Sequence, residues 1–228
     1  MHIQKINNID FKAIPLAKVK VKGLDKTYKL FEVTKADNDY LRSFYENLNL
    51  EKLMKGLQDY EYNIWDNIVE SALKVANMHG RKTIIETCND KPCGLLNYTE
   101  GEKKLHINYV VTVPIEKNKK VPFAGQILFN EFFKRVLDSS VDTVELLALK
   151  YSPFSPISKY LKLGFKQLGG TDGLETMRIS RQGIQAAIQK QDEFISYTKE
   201  ISKEEMPIGD IQKESSNKNH LLLSFFYP

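Results

Sequence analysis

The middle of the chain, from Leu105 to Phe165, carries two kinds of hydrophobic pattern in turn. Strand-forming residues dominate LHINYVVTVP and TVELLALKY, whereas apolar residues recur at helical spacing in QILFNEFFKRVL and SPISKYLKLGF. The basic loop IEKNKKVPFAGQ joins the first strand to the first helix, and Gly164 ends the second helix. The pattern therefore predicts the order strand, loop, helix, strand, helix.

Alternation in the first of these strands assigns its side chains to two faces. One face is expected to carry Leu105, Ile107, Tyr109, Val111 and Val113, and the other His106, Asn108, Val110 and Thr112.

Before this stretch, the pattern predicts a candidate short edge strand at VKVKG, a main strand, a group of helices and a hairpin. YKLFEVT reads as the main strand, and Thr34 or Asp37 can cap a helix that buries Leu41, Phe44, Tyr45 and Leu48. A second helix is expected over Leu50–Leu57 and a third over Asn63–Met78, which Gly80 ends in a left-handed conformation. KTIIETC and CGLLNYT form the hairpin around the turn NDKP.

After this stretch, FKQLGG and LETMRIS read as strands, and helical spacing returns from Gln182 to about Ile201. A polar linker leads to HLLLSFFYP, an apolar end expected to dock on the domain or to form a homodimer with a second subunit. Together the elements predict an α+β fold with a mixed, mostly antiparallel sheet flanked by helices.

Composition narrows the class of protein. A chain of 228 residues with 42% hydrophobic and 27% charged residues is typical of one soluble domain with extensions. The net charge of +4 is spread among paired acidic and basic residues, so no nucleic-acid partner is expected. We see no signal peptide and no apolar run of the ~18 residues that a membrane helix needs, and we therefore expect a cytoplasmic protein.

Cysteine and histidine do not form a recognisable ligand set. Cys88 and Cys93 flank the hairpin turn and are expected to be reduced, half-buried thiols, with a redox switch as the alternative. The four histidines share no metal-ligand spacing, and no metal is predicted.

The candidate chemistry comes from two motifs of the central stretch, KVPFAG before its first helix and YLKLGF in its second. Together with the order of elements, they resemble the acyl-CoA-binding centre of the GNAT superfamily of N-acyltransferases. Lys120 stands where these proteins usually have Gln or Arg, Phe123 stands where the first glycine is usual, and Gly125 matches the last small position. A helix that starts at such a loop suits the pyrophosphate of CoA.

The second motif matches the GNAT pattern Y-x-K-x-G-F residue for residue. In many relatives the tyrosine, here Tyr160, protonates the departing CoA thiolate, a role that suits a phenol with a pKa near 10. The alternative is that Tyr160 only packs at the edge of its helix.

The resemblance covers about Tyr28 to Ser180 and implies a GNAT-like domain at 28–180 between extensions at 1–27 and 181–228. It implies transfer from acetyl-CoA or another acyl-CoA to an unidentified amine. The residues expected to hold the pyrophosphate are Lys120, Phe123, Ala124, Gly125 and Gln126, and the backbone of Val111 and Val113 is expected to hold the pantetheine. Candidates for the general base are Glu86, His106, Tyr109 and Glu145. The alternative function is a catalytically inactive GNAT-like domain that binds CoA or a protein partner.

Overall fold

The computed structural model describes residues 12–34, 37, 41, 58–76, 78–116, 119–152, 154–198 and 201. Nine strands within these residues form one sheet in the order β7-β8-β6-β5-β4-β3-β2-β1-β9. Their bounds are β1 Ile14–Val21, β2 Thr27–Glu32, β3 Arg81–Cys88, β4 Lys91–Glu100, β5 Lys104–Thr112, β6 Thr143–Leu149, β7 Lys166–Gly170, β8 Leu174–Ser180 and β9 Ile195–Thr198. Only β5 and β6 pair in parallel among these strands, so the predicted α+β class with a mostly antiparallel sheet is confirmed.

Helices cover both faces of the sheet. The described helices are α1 Asp59–Ala76, α2 Ala124–Leu137, α3 Pro156–Lys162 and α4 Arg181–Asp192. Adjacent residues of β3 point to opposite faces, and Ile84 packs in the cluster around α2 and α4 whereas Ile85 packs with α1. The described helices include none that is long and apolar enough to cross a membrane.

The hairpin of β3 and β4 turns more tightly than the sequence predicted. Asn89 and Asp90 both have positive φ and make the whole turn, while Lys91 and Pro92 already belong to β4. A two-residue turn of this kind matches the right-handed twist of the paired strands. Cys88 and Cys93, expected to be half-buried, are both fully buried free thiols.

The prediction of a helix from Gln182 to about Ile201 is wrong in its second half. The helix α4 ends at Asp192, and Ile195–Thr198 forms β9 against β1. Three of the four residues in this short segment are β-branched or aromatic, and pairing with an open strand edge outweighs its helical spacing. The segments assigned as extensions thus contribute β1, α4 and β9 to the same sheet and core.

Several predicted elements lie outside the described residues. They are most of the helix around Phe44, the helix at Leu50–Leu57, the polar linker and the apolar end HLLLSFFYP. Within the described part, Leu41 is helical and buried, and the Asp37 carboxylate accepts hydrogen bonds from the Thr34 N–H and hydroxyl.

Arg181 connects the start of α4 to the end of α2. Its guanidinium donates to four backbone carbonyls at or after the last turn of α2, those of Val136, Leu137, Ser139 and Val141. A cation there satisfies C=O groups that have no partner within the helix and lies at the negative end of its dipole.

Replacing Arg181 with Ala should therefore destabilise the protein by about 1–3 kcal/mol, as expected for losing hydrogen bonds to a charged group. Urea unfolding measures the free energy of unfolding. Arg181→Lys keeps the charge but loses the planar fork, so its free energy of unfolding should lie between those of the wild type and Arg181→Ala. An unchanged unfolding midpoint in Arg181→Ala would show that the carbonyls are satisfied without this side chain.

Candidate active site

The candidate site is a cleft where β5 and β6 separate. The two strands pair through four residues each, and the pairing ends at Ile107 and Leu146. Beyond that point β5 runs on to Thr112 and β6 to Leu149 without pairing to each other. The space between them belongs to a cleft of about 1560 Å³ that extends onto both faces of the sheet. Backbone groups on the inner side of β5 therefore have no partner there among the described strands.

A β-bulge at Asn108 marks the place where the strands part. Asn97 pairs with Tyr109 and Tyr98 with Ile107, so Asn108 has no partner on β4. The extra residue shifts the alternation by one. Side chains on the α2 side are Leu105, Ile107 and Val110, and those on the α1 side are Tyr109, Val111 and Val113. The prediction of one continuous apolar face is wrong for this reason.

The helix α2 begins at the cleft without a side-chain cap. Its N-cap residue, Phe123, has a φ of 60°, and its first turn contains no acidic residue. The first backbone hydrogen bond runs from the Ile127 N–H to the Phe123 carbonyl at 2.9 Å. The N–H groups of Ala124, Gly125 and Gln126 have no acceptor within the described part, and all three residues line the cleft. They form a partial positive charge that suits an anion.

Four of the described lysines line the cleft, namely Lys120, Lys159, Lys162 and Lys190. Among the described residues, none of the four makes an ion pair with a carboxylate. Burial lowers the pKa of Lys159, and the charge of Lys120 lowers it further. Lysines that repel one another beside an uncapped helix gain stability from a bound anion.

Tyr160 projects from α3 toward the same cleft. Its ring contacts Phe129 and Phe165, with centroids 5.8 Å away in each case. Within the described part its hydroxyl makes no hydrogen bond, and burial raises the pKa of Tyr160 to about 12. The phenol therefore stays protonated at neutral pH and is free to donate a hydrogen bond or a proton to a ligand.

Comparison with known proteins gives a clear result only at the level of structure. No family model and no curated protein matches the chain. An uncharacterised protein from Bacillus halodurans superposes with a TM-score of 0.53 at 12% identity, covering 79% of this chain and 97% of that one. FdhC, a nucleotide-linked sugar GNAT, superposes with a TM-score of 0.52 at 12% identity, covering 78% of this chain and 97% of FdhC. Aminoglycoside 6'-acetyltransferase type Ii superposes with a TM-score of 0.50 at 17% identity, covering 67% of this chain and 96% of that enzyme.

The chain has the GNAT fold. The likeness confirms the resemblance read from KVPFAG and YLKLGF at the level of architecture, because identities this low show the fold alone.

Residues after Ser180, where the resemblance to GNAT proteins ended, add a further wall to the cleft. Lys190, Gln191 and Phe194 all line it. The rings of Phe194 and Phe123 lie 5.4 Å apart between centroids, so Phe123 packs against the segment that follows α4. Sequence reasoning missed these residues because no GNAT motif extends to them.

The backbone groups that face the cleft are shifted by one residue from those predicted. Val113 donates its N–H to the Cys93 carbonyl of β4 at 2.9 Å. Backbone groups alternate in direction along a strand, so Val111 also points toward β4. Val110 and Thr112 therefore present their N–H and C=O groups to the open side, while the side chains of Val111 and Val113 are buried.

Of the four candidates for the general base, His106 and Tyr109 line the cleft. Burial lowers the pKa of His106, and Lys104 and Arg81 add to this effect against the opposing influence of Glu145. The imidazole is thus neutral at physiological pH and able to accept a proton.

The two glutamates are less suitable. Glu145 is hydrogen-bonded to Lys104 at 2.9 Å and to Arg178 Nε at 2.8 Å, and these bonds lower the pKa of Glu145. Glu86 is buried beneath α2, and neither of its oxygens has a hydrogen-bond donor in the described part apart from the adjacent Cys93 thiol. The described residues contain no group of three or more His, Cys, Asp or Glu placed to hold a metal ion.

Glu86 should make stability depend on pH. Burial raises the pKa of Glu86 well above its usual 4.5, so the folded protein keeps a proton that the unfolded chain loses. Between these two pKa values, stability should fall by about 1.4 kcal/mol per pH unit. Glu86→Gln has no proton to lose, and its stability relative to the wild type should rise from pH 5 to pH 8.

Urea unfolding at each pH measures this difference. Glu145→Gln is the matched control, because its lowered pKa predicts the opposite sign, a loss of stability at neutral pH. Parallel pH profiles for wild type and Glu86→Gln would show that Glu86 ionises as freely in the folded protein as in the unfolded chain.

Proposed function

We propose that the protein is an N-acyltransferase that transfers an acyl group from acetyl-CoA, or another acyl-CoA, directly to an amine. The observation that carries the proposal is the cleft between β5 and β6, which joins unpaired strand backbone, an uncapped helix start and lysines without carboxylate partners. Acyl-CoA presents complementary groups in one molecule, namely amides, a pyrophosphate and a thioester.

The pyrophosphate would lie at the start of α2. The N–H groups of Ala124, Gly125 and Gln126 can donate to its oxygens, as helix N-termini commonly do. Lys120 and Lys159 supply positive charge beside them, and an anion between the two ammonium groups removes their repulsion. The same site explains why the first turn of α2 lacks acidic residues.

The pantetheine would extend along the open side of β5, with its amides bonded to the backbone of Val110 and Thr112. This arrangement leads the thioester toward Tyr160. The amine nitrogen attacks the carbonyl carbon, the C–S bond breaks, and the Tyr160 hydroxyl gives its proton to the departing thiolate. A phenol with a raised pKa keeps that proton until the thiolate forms.

The amine would approach from the α1 side of the sheet. Trp65 and Ile68 of α1 line this half of the cleft together with Tyr109 and Leu147. The neutral His106 imidazole faces the same half and is the group we assign to accept the proton that the amine releases.

Calorimetric titration with acetyl-CoA tests the proposal. Binding at micromolar concentration, followed by thiol release when amines are added, is the expected result. Absence of binding at millimolar acetyl-CoA would contradict it.

A specific observation favours a second function, a GNAT-like module that binds CoA without catalysis. Phe123 takes a left-handed backbone conformation where the family usually has glycine, and its ring extends to Phe194 at the cleft. Acetyl-CoA binding with no thiol release across a broad set of amines would support that function instead.

A further inference from the structure

Arg81 occupies an unusual electrostatic position for a half-buried arginine. It is the first residue of β3, it is half-buried, and it lines the α1 side of the cleft. Among the four arginines that the structure describes, Arg135 and Arg178 pair with carboxylates and Arg181 binds a set of backbone carbonyls. Arg81 has no carboxylate partner within the described part of the chain.

Among the described residues, hydrogen bonds hold the guanidinium of Arg81 through one nitrogen, Nη1. Its Nη1 donates to the Thr99 hydroxyl and, at 2.6 Å, to the Asn108 side-chain oxygen. Asn108 in turn donates to Thr99 at 3.0 Å, which closes a small network of neutral groups. No described residue accepts a hydrogen bond from Nε or Nη2 of Arg81. Within the described part of the chain, this planar fork of donors is thus fixed in orientation and has no anionic partner.

The location of this fork matters because Asn108 is the bulge residue at which β5 leaves β6. Arg81 therefore lies where the cleft opens between the strands, beside the half that the amine would enter. The described lining of the whole cleft contains four lysines, one arginine and one carboxylate, that of Glu61. Glu61 lies in the first turn of α1, and its carboxylate accepts the Gln58 N–H at 2.9 Å. Nothing described in the cleft neutralises Arg81.

We infer that the acceptor amine carries an anionic group, a carboxylate or a phosphate, which binds the Nε and Nη2 side of Arg81. This inference rests on the proposed function and narrows its substrate class from amines in general to amines with an anionic group. Ile68 and Tyr109 line the same half of the cleft with partly exposed side chains, so an apolar part of the acceptor would fit beside its anionic group.

Matched pairs of ligands test the inference without requiring turnover. The full chain is first titrated with acetyl-CoA as wild type, Arg81→Gln and Arg81→Lys, and all three should bind it within about three-fold, because Arg81 faces the acceptor side. The protein saturated with CoA is then titrated with N-acetylphenylalanine and with N-acetylphenethylamine, which differ only in the carboxylate. The members of a second pair, N-acetylated O-phosphoethanolamine and N-acetylethanolamine, differ only in the phosphate.

The anionic member of at least one pair should bind the wild type at least ten-fold more tightly than its neutral counterpart, as a charge-assisted bidentate contact predicts. Arg81→Gln should remove this preference, and Arg81→Lys should keep part of it. The pair that shows the preference identifies the anion as carboxylate or phosphate. Three results would overturn the inference: equal binding within both pairs, no binding of either pair, or a preference that survives in Arg81→Gln. In each case, binding of acetyl-CoA by the wild type would leave the proposed function intact. Failure of the wild type to bind acetyl-CoA would overturn both.

Discussion

Gly125→Glu is expected to abolish acetyl-CoA binding in a protein that still folds. Gly125 lies in the first turn of α2 and lines the cleft, and its N–H is one of the donors assigned to the pyrophosphate. A glutamate there places a negative charge and added bulk where the phosphates would bind. Affinity should fall by about 100-fold or more, because a charge-assisted contact worth several kcal/mol becomes a repulsion.

Folding should tolerate this change. A Cβ at Gly125 would meet only Thr112 Cγ2 at 3.8 Å, an ordinary contact, and an acidic residue in the first turn of a helix is favourable. Gly125→Ala is the matched control, which adds the Cβ without charge and should keep acetyl-CoA affinity within a few-fold. Calorimetry and a ligand-free melting curve for each variant are the measurements. A folded Gly125→Glu protein with wild-type affinity would remove the pyrophosphate site from the proposal.

The central part of the fold was predictable because its elements are long and their patterns agree with their motifs. The strand, helix and strand around KVPFAG appear where the sequence placed them, with α2 at Ala124–Leu137 and β6 at Thr143–Leu149. Gly164, predicted to end a helix, has the positive φ that such a position favours. Local conformational preference and tertiary packing favour the same elements in this region, so a single sequence was sufficient to predict them.

The bulge at Asn108 could not be placed from pattern alone. Alternation assigned Val110 to the polar face, yet Tyr109, Val110 and Val111 are consecutive apolar residues and contact both layers of the core. This run was a signal that the alternation breaks near Tyr109. It did not show which residue lacks a partner, because that depends on the register with β4. The one-residue shift in the backbone groups facing the cleft has a similar origin, since only the observed bond from Val113 to Cys93 fixes their direction.

The contribution of the C-terminal segment depends on tertiary contacts that sequence motifs do not encode. Phe194 and Lys190 reach the cleft because α4 packs on α2 and β9 pairs with β1. Both contacts join residues far apart in the chain, and the pairing with β1 connects opposite ends of the described sequence. The same holds for Arg81, whose exposure to the cleft depends on the positions of Thr99 and Asn108 on two other strands.

Tyr160→Phe is expected to lower turnover by roughly ten-fold or more, because acid catalysis typically contributes 10²–10⁴-fold. The substitution removes only the hydroxyl and keeps the ring between Phe129 and Phe165. Since that hydroxyl has no hydrogen-bond partner in the described part, the melting temperature should not change. Acetyl-CoA affinity should stay within about three-fold, because backbone groups and lysines hold most of the ligand.

Thiol release with an accepted amine measures the turnover of both proteins, and calorimetry measures their affinity for acetyl-CoA. The pH profile gives an independent check. The pKa of Tyr160, raised by burial to about 12, means that the phenol stays protonated at pH 10. If Tyr160 is the acid, the wild-type rate should show no decline up to that pH from loss of its proton, and the ratio of the two rates should stay constant from pH 7 to pH 10. Equal turnover in wild type and Tyr160→Phe would show that Tyr160 is a packing residue on α3 and that the thiolate takes its proton from another donor, such as water.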